Sequence, residues 1–218
     1  MQMIASLFSL GGVGTTGTSW DTTQITIHYY SSDLIIVFTL IWAFIMGITI
    51  TQKAYRYSDF AFVSNRFTSN LSNLLFLLTA SVVGGISAIL VGNVLKVILF
   101  FYFGSENSMG GTLLTPPIEL TLGMFVTSLY ILLLSSLGYF FGMLVQLHKG
   151  FFVFLLGLFL GIIIFGIRSV EQTNIIGSMF MFFYKETSFL LFMVKTLLTA
   201  AILFSCTILI SNRMEVRK

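Results

Sequence analysis

The chain has 218 residues, of which 56% are hydrophobic and only 9% are charged, and its formal net charge is +3. Soluble domains carry roughly 25% charged residues because their surfaces face water, so this composition excludes a soluble domain and indicates an integral membrane protein. The 11 Lys and Arg residues are dispersed along the chain, which argues against the concentrated basic face that nucleic-acid binding requires.

The N-terminal segment, residues 1–33, is predicted to lie on the outer side of the membrane. Within it, Met1–Gly14 is apolar but too short to cross a bilayer. Three interpretations stay open for this stretch: a partial helix, a re-entrant piece or a helix lying on the membrane surface. It lacks the basic start of a secretory signal peptide.

Five segments are predicted to cross the membrane as helices, since a span needs about 20 mostly apolar residues. They are Leu34–Thr51, Leu71–Phe103, Ile118–Leu147, Phe151–Ile167 and Phe189–Ser211. Helices are expected because lipid offers the backbone no water to bond. The sequence therefore predicts an all-α integral membrane protein in one transmembrane domain, residues 1–218, with about five spans, or six if a shortened first span precedes them.

The second predicted span, Leu71–Phe103, is longer than one crossing requires. It should tilt, bend or protrude, and its Gly84-Gly85 pair is the expected position of a bend. The third predicted span starts after Thr115-Pro116-Pro117, in which Thr115 is expected to cap the helix and a proline to take its first position.

Two connecting segments have an amphipathic or apolar character of their own. Gln52–Asn70 is predicted to contain a short cytoplasmic helix, because Phe60, Val63 and Phe67 repeat at helical spacing. Such a helix could lie passively on headgroups or serve as the contact for a cytoplasmic partner. Within the outer loop 168–187, Ile175–Tyr184 is about the length of a re-entrant segment, so a hairpin dipping into the outer leaflet is expected.

The orientation is predicted from basic residues in the loops. Seven of them fall on one side, namely Lys53, Arg56, Arg66, Lys149, Arg213, Arg217 and Lys218. The other side has two, Arg168 and Lys185. This asymmetry predicts a multi-pass protein of the cell membrane with its C-terminus in the cytoplasm.

Polar residues within the predicted spans are the candidates for a substrate pathway, because charges in a bilayer are energetically unfavourable. These are Asn93, Lys96 and Lys195. The two lysines could line a polar path or contact an anionic headgroup; alternatively, their long side chains could extend to the outer interface, toward Glu106, Glu119 or Glu186.

No zinc-protease motif, serine-nucleophile motif or P-loop occurs in the sequence. An enzyme is therefore not expected, and no catalytic, metal-binding or cofactor-binding residue is predicted. Two glycine pairs at four-residue spacing, Gly138/Gly142 and Gly157/Gly161, predict close helix packing.

The order of these elements resembles the permease subunits of type-2 ATP-binding cassette (ABC) exporters. It shares a span, a cytoplasmic coupling helix, a long span, two spans joined by the basic turn His148-Lys149-Gly150, an outer re-entrant hairpin and a last span. The stretch from Phe62 to Phe67 (FVSNRF) is similar to the pattern that precedes the long span in that family. The family's usual first span is missing or shortened in this chain.

The resemblance implies a subunit that exports an amphipathic substrate such as a lipid, a peptide or an antibiotic. It implies no cofactor in this chain, since a separate cytoplasmic ATPase would bind the ATP. It also implies a second permease subunit, either an identical or a related chain, and contact with membrane lipid. The residues expected to couple to the ATPase are Tyr57, Asp59, Phe60, Val63, Arg66 and Phe67.

Two alternatives remain from the sequence. One is a substrate-capture subunit of a vitamin-type importer, for which the polar pocket residues would be Asn93, Lys96, Glu171 and Lys195. The other is a non-transporting membrane protein, such as an immunity or assembly protein, which would act through helix contacts and would tolerate changes in the first cytoplasmic loop.

Overall fold

The computed structural model describes residues 1–10, 14–20, 23–29, 32–52, 66–103, 116–147, 150–151, 157 and 188–213. The elements in these ranges are α1 (Gln2–Leu10), β1 (Gly14–Trp20), β2 (Thr23–Tyr29), α2 (Asp33–Thr51), α3 (Arg66–Phe103), α4 (Pro117–Leu147) and α5 (Phe189–Arg213).

Within the described ranges, α2, α3, α4 and α5 are long and apolar enough to cross a membrane. This confirms the prediction of an α-helical protein with several membrane spans. The predicted span Phe151–Ile167 lies outside the described residues except for residues 151 and 157. Residues 53–65 of the predicted coupling segment and the predicted re-entrant loop 168–187 also lie outside them.

The long helix α3 begins at Arg66, five residues before the predicted span, and continues to Phe103. Its 38 residues correspond to a length of about 57 Å at a rise of about 1.5 Å per residue, well above the ~30 Å hydrocarbon core. The backbone remains helical through Gly84-Gly85, the position at which a bend was expected.

Helix α4 begins at Pro117, one residue later than expected with Thr115 as the cap and Pro116 as the first helical residue. The amide of Leu120 donates to the carbonyl of Pro116 at 3.0 Å, which places Pro116 at the N-cap and Pro117 at the first helical position. A missing amide hydrogen is tolerated at both positions, because the first turn of a helix has no internal acceptor for it.

A two-stranded antiparallel hairpin lies between α1 and α2, and the sequence prediction missed it. Its register runs from Gly14 opposite Tyr29 to Trp20 opposite Thr23. The signal for a strand was present, because Ile25 and Ile27 alternate with polar residues and β-branched residues favour strands. A criterion of about 20 consecutive apolar residues does not detect a short strand in which apolar and polar residues alternate.

The burial pattern of α2 is that of a lipid-facing helix. Its buried positions recur every four residues, at Ile35, Thr39, Ala43, Gly47 and Thr51. Between them the large side chains of Val37, Ile41 and Ile45 are exposed. Apart from Ile35, the buried positions are small or polar residues, while the branched apolar residues between them face outward, as expected where lipid replaces water.

The chain divides into two compact units, and each is described separately. Unit 1 comprises Met1–Trp42 and Ala80–Ile131, and unit 2 comprises Ala43–Thr79 and Leu132–Lys218. The core of unit 1 contains Ala5, Ile35, Ala88 and Leu95. The core of unit 2 contains Leu77, Leu132, Tyr139, Ala200 and Phe204.

Helix α1 packs on α2 and α3 in unit 1 through small residues. Ala5 and Ser9 are fully buried, and the Gln2 side-chain amide donates to Ser87 Oγ at 2.9 Å and lies 3.4 Å from both Thr39 Oγ1 and the Gly84 carbonyl. Because Thr39 is the seventh residue of α2, Gln2 lies about 9 Å inside the start of that helix, at about 1.5 Å per residue.

The outward face of α1 consists of large apolar side chains, including Met3, Leu7 and Phe8, all exposed. A helix lying on the membrane surface would instead carry a charged or strongly polar face. The nine residues of α1 cover only about 13 Å. Of the three interpretations left open by the sequence, these features argue against a helix lying on the membrane surface; a partial helix and a re-entrant piece both stay predictions.

In unit 2, α2 and α4 approach each other at glycines. A Cβ added at Gly138 would collide with the carbonyl oxygen of Phe44, and one added at Gly47 would collide with that of Ser135. At Gly142 it would collide with Thr51 Oγ1. The predicted packing role of Gly138 and Gly142 is therefore confirmed. A Cβ at Gly157 would meet nothing within 4 Å in the structure, and Gly161 lies outside the described residues.

A buried polar chain links three helices of unit 2. The Tyr139 hydroxyl donates to Asn70 Oδ1 at 3.2 Å, and Asn70 Nδ2 donates to Ser211 Oγ at 3.3 Å. All three side chains are buried. Other buried hydroxyls bond within their own helix: Thr39 Oγ1 donates to the Ile35 carbonyl at 2.7 Å, and Thr207 Oγ1 to the Leu203 carbonyl at 2.7 Å.

We expect Tyr139→Phe to lower the free energy of unfolding by about 0.5–1.5 kcal/mol, the range for one hydrogen bond between membrane helices. The ring and its packing against Phe204, at a centroid distance of 6.0 Å, would remain. Unfolding in mixed micelles of increasing denaturing detergent would measure the change. Thr79→Val is the control, because the exposed Thr79 hydroxyl bonds to the Phe76 carbonyl of its own helix; an equal loss in both variants would contradict the prediction.

Candidate functional site

A cavity of about 230 Å³ in unit 1 brings together three helix segments. The start of α2, the C-terminal half of α3 and the first two turns of α4 form its walls. Its lining residues are Ser32, Ile36, Ala88, Ile89, Gly92, Asn93, Lys96, Glu119, Leu120 and Gly123. Gly92 lets α3 approach the start of α2 here, since a Cβ at Gly92 would lie 3.3 Å from Ser32 Cβ. A Cβ at Gly123 would make only an ordinary contact, 3.8 Å from Ile89 Cδ1.

The contact between Gly92 and Ser32 fixes the position of Lys96 relative to the start of α2. Ser32 directly precedes α2, whose 19 residues span about 28 Å and so match the ~30 Å hydrocarbon core. Lys96 lies one turn beyond Gly92, about 6 Å further along α3. Lys96 therefore lies about one helical turn beyond the start of α2, still within the apolar candidate span of α3, Thr68–Tyr102.

The cavity contains one positive and one negative side chain. Asn93 and Lys96 are three residues apart and thus share a face of α3. Glu119 lies in the first turn of α4, where the partial positive charge of the helix N-terminus favours a carboxylate. Neither Lys96 nor Glu119 makes an ion pair or hydrogen bond with any residue of the described ranges. Two opposite charges thus face one cavity without neutralising each other.

The structure brings together two of the three predicted pathway residues. Asn93 and Lys96 line the cavity, whereas Lys195 lies on α5 in unit 2 and is not among the lining residues. Sequence reasoning considered Glu119 only as a partner for a lysine and missed Ser32. The position of Glu119 just after Pro116-Pro117 was the available signal, because acidic residues favour the first turn of a helix.

The predicted coupling residues fall mostly outside the described residues. This holds for Tyr57, Asp59, Phe60 and Val63. The backbone of Arg66 and Phe67 forms the first turn of α3, so these two positions are directly continuous with the helix that carries Asn93 and Lys96.

In the part of the chain that the structure describes, no group of three or more His, Cys, Asp or Glu side chains could hold a metal ion. The cavity offers a cation, a carboxylate, an amide and a hydroxyl above an apolar wall. This combination suits reversible binding of a polar or charged group carried by an apolar molecule. Compared with known proteins, the chain matches no family model, no curated protein and no solved structure.

Proposed function

We propose that this chain is the permease subunit of an ABC-type exporter that moves an amphipathic substrate (a lipid, a peptide or an antibiotic) across the cell membrane. The observation that carries the proposal is the cavity with Lys96 and Glu119 at one end of otherwise apolar spanning helices. A molecule with a charged head and an apolar body fits such a site, because the head finds polar partners while the body stays in an apolar environment.

The order of the described elements also supports the proposal. A span, α2, is followed by a polar segment, then by the long helix α3, the span α4 and, near the end of the chain, the span α5. This is the order implied by the resemblance to type-2 exporter permeases. An identical or related chain would supply the second half of the pathway, and the C-terminus would lie in the cytoplasm.

Helix α3 supplies a physical route for coupling. A cytoplasmic ATPase would bind ATP and contact residues 57–67, and the first turn of α3 begins at Arg66. Because α3 is a single helix through Asn93 and Lys96, a displacement at its start would be transmitted along its length to the cavity. The hydrogen bonds of Asn70 to Tyr139 and Ser211 would pass part of that displacement to α4 and α5.

The test is purification of the tagged chain from native membranes, followed by assay of bound ATPase and of transport in vesicles. An ATPase should copurify with the wild-type chain. Arg66→Glu and Phe67→Asp should each reduce transport per ATP hydrolysed by about tenfold, equivalent to about 1.4 kcal/mol of coupling. Thr79→Val, an exposed change elsewhere on α3, is the control. Absence of any associated ATPase would refute the proposal.

One observation favours a second candidate, the substrate-capture subunit of a vitamin-type importer. Asn93 and Lys96, two of the four polar residues predicted for such a pocket, line the same cavity. Its volume of about 230 Å³ is below the 300–1,000 Å³ or so of pockets that enclose a drug-sized ligand, which weighs against capture of a whole vitamin. Submicromolar binding of a small metabolite by the isolated chain would favour the importer.

A further inference from the structure

The two charges of the cavity define the kind of group that it can hold. Lys96 and Glu119 both line the cavity and do not pair with each other. A purely anionic group bound at Lys96 would be repelled by Glu119, and a purely cationic group bound at Glu119 would be repelled by Lys96. A zwitterion avoids both repulsions, because each of its charges can face the opposite one.

The neighbouring polar groups suit a phosphate near Lys96. The Asn93 amide supplies further donors on the same face of α3, and the Ser32 hydroxyl, just before α2, is another donor lining the cavity. Lysine binds phosphate as a compact charge with three donors. The carboxylate of Glu119 has only acceptors, so its preferred partner is a group with several N–H bonds, such as a primary ammonium.

The size and the position of the cavity match a lipid headgroup rather than a whole ligand. Its volume is about 230 Å³, and it lies where the apolar helix α2 begins. Leu90, Val97 and Leu122, each adjacent in sequence to a lining residue, are exposed. Acyl chains could therefore continue from the cavity along the apolar outer surfaces of α3 and α4.

We propose that the cavity binds the phosphoethanolamine headgroup of a membrane phospholipid, with the phosphate at Lys96 and Asn93 and the ammonium at Glu119. This assignment names a ligand for the cavity on which the proposed function rests. Phosphatidylcholine binds more weakly, because its methylated ammonium has no N–H to donate to Glu119. Phosphatidic acid binds more weakly too, because it brings only negative charge to a site that includes Glu119.

The experiment uses the full chain, freed of lipid in mild detergent and titrated with phosphatidylethanolamine, phosphatidylcholine or phosphatidic acid. Native mass spectrometry counts the lipids bound. The wild-type chain should prefer phosphatidylethanolamine to each of the other two by about tenfold, equivalent to about 1.4 kcal/mol. Glu119→Gln should abolish this preference, Lys96→Gln should weaken binding of all three lipids, and Lys96→Arg should restore it.

Lys195→Gln is the matched control, because it removes the same charge from α5 outside the cavity; its lipid preference should equal that of the wild type. Circular dichroism would verify that each variant is folded. Unchanged preference in folded Lys96→Gln and Glu119→Gln would overturn the proposal, as would preferential binding of phosphatidic acid by the wild type.

A further arm separates the two sources of the same headgroup. Free phosphoethanolamine should compete only weakly with the phospholipid, since it lacks the acyl chains that contact α3 and α4. If free phosphoethanolamine binds while the phospholipid does not, the ligand is the free molecule and the proposed membrane phospholipid is wrong. None of these measurements needs an ATPase, so failure of lipid binding and failure of ATPase association are distinguishable.

Discussion

Gly138→Ala is expected to lower the free energy of unfolding by about 1–3 kcal/mol, the typical cost of forcing one methyl group into a packed interior. The added Cβ would collide with the Phe44 carbonyl oxygen and lie 3.1 Å from the Phe44 carbonyl carbon. These are backbone atoms of α2, which cannot rotate away as a side chain can. Helices α2 and α4 would have to separate, and the contact at Gly47 would loosen with them. Unfolding in mixed micelles would measure the loss.

Gly123→Ala is the matched control on the same helix. Its added Cβ would lie 3.8 Å from Ile89 Cδ1, an ordinary contact with a flexible side-chain end. The change also removes a residue with low helix propensity, worth about 1 kcal/mol in an exposed helix. We expect Gly123→Ala to be neutral or slightly stabilising. Equal losses in both variants would show that the close approach of α2 and α4 at Gly138 is wrong.

The double variant Gly47→Ala/Gly138→Ala tests whether the two glycines serve one and the same contact between α2 and α4. Both glycines serve the same helix contact, because the Gly47 Cβ would lie 3.0 Å from the carbonyl carbon of Gly138. Once the helices have separated for one methyl group, the second has room. The double loss should therefore be smaller than the sum of the two single losses.

The second large effect is expected at Gly85 of α3 and not at its neighbour Gly84. A Cβ at Gly85 would lie 2.7 Å from the Ser128 nitrogen and 2.8 Å from its Cα, whereas at Gly84 the nearest atom is Ile131 Cδ1 at 3.4 Å. We expect Gly85→Ala to destabilise unit 1 by about 1–3 kcal/mol. Gly84→Ala should be neutral or stabilising by up to about 1 kcal/mol, because alanine favours the helix.

This comparison isolates the contact with α4 from any effect of backbone flexibility. The same substitution is made at neighbouring positions of one helix, so a requirement for a flexible bend would make both variants unstable. Thermal unfolding of the two proteins in the same detergent, followed by circular dichroism, gives the answer. A lower melting temperature for Gly84→Ala than for Gly85→Ala would contradict the proposed packing.

The membrane spans could be predicted from sequence because they depend on local composition. A run of about 20 apolar residues is sufficient to identify a span, and α2 and α5 begin and end within two residues of their predicted bounds. The Gly84-Gly85 pair shows the limit of this approach. The sequence suggests a bend there, while the structure uses Gly85 for close approach to Ser128, which depends on the position of another helix.

The candidate site was predictable only in part for the same reason. Asn93 and Lys96 stood out as polar residues within an apolar run, and both line the cavity. Their partners Ser32 and Glu119 lie at helix ends, where polar residues are common and carry little signal. The position of Lys96 relative to the start of α2 depends on the offset between α2 and α3, which the contact of Gly92 with Ser32 sets.

The hydroxyls that bond within their own helices have a consequence for movement. Thr196 and Thr207 of α5 are buried, yet each donates to a carbonyl three or four residues earlier in the same helix. If α5 shifted along its neighbours, both hydroxyls would keep these hydrogen bonds, so neither would become an unsatisfied buried polar group. These buried hydroxyls form no bonds that would have to break if α5 slid against its neighbours, so they oppose small shear displacements between packed helices only weakly.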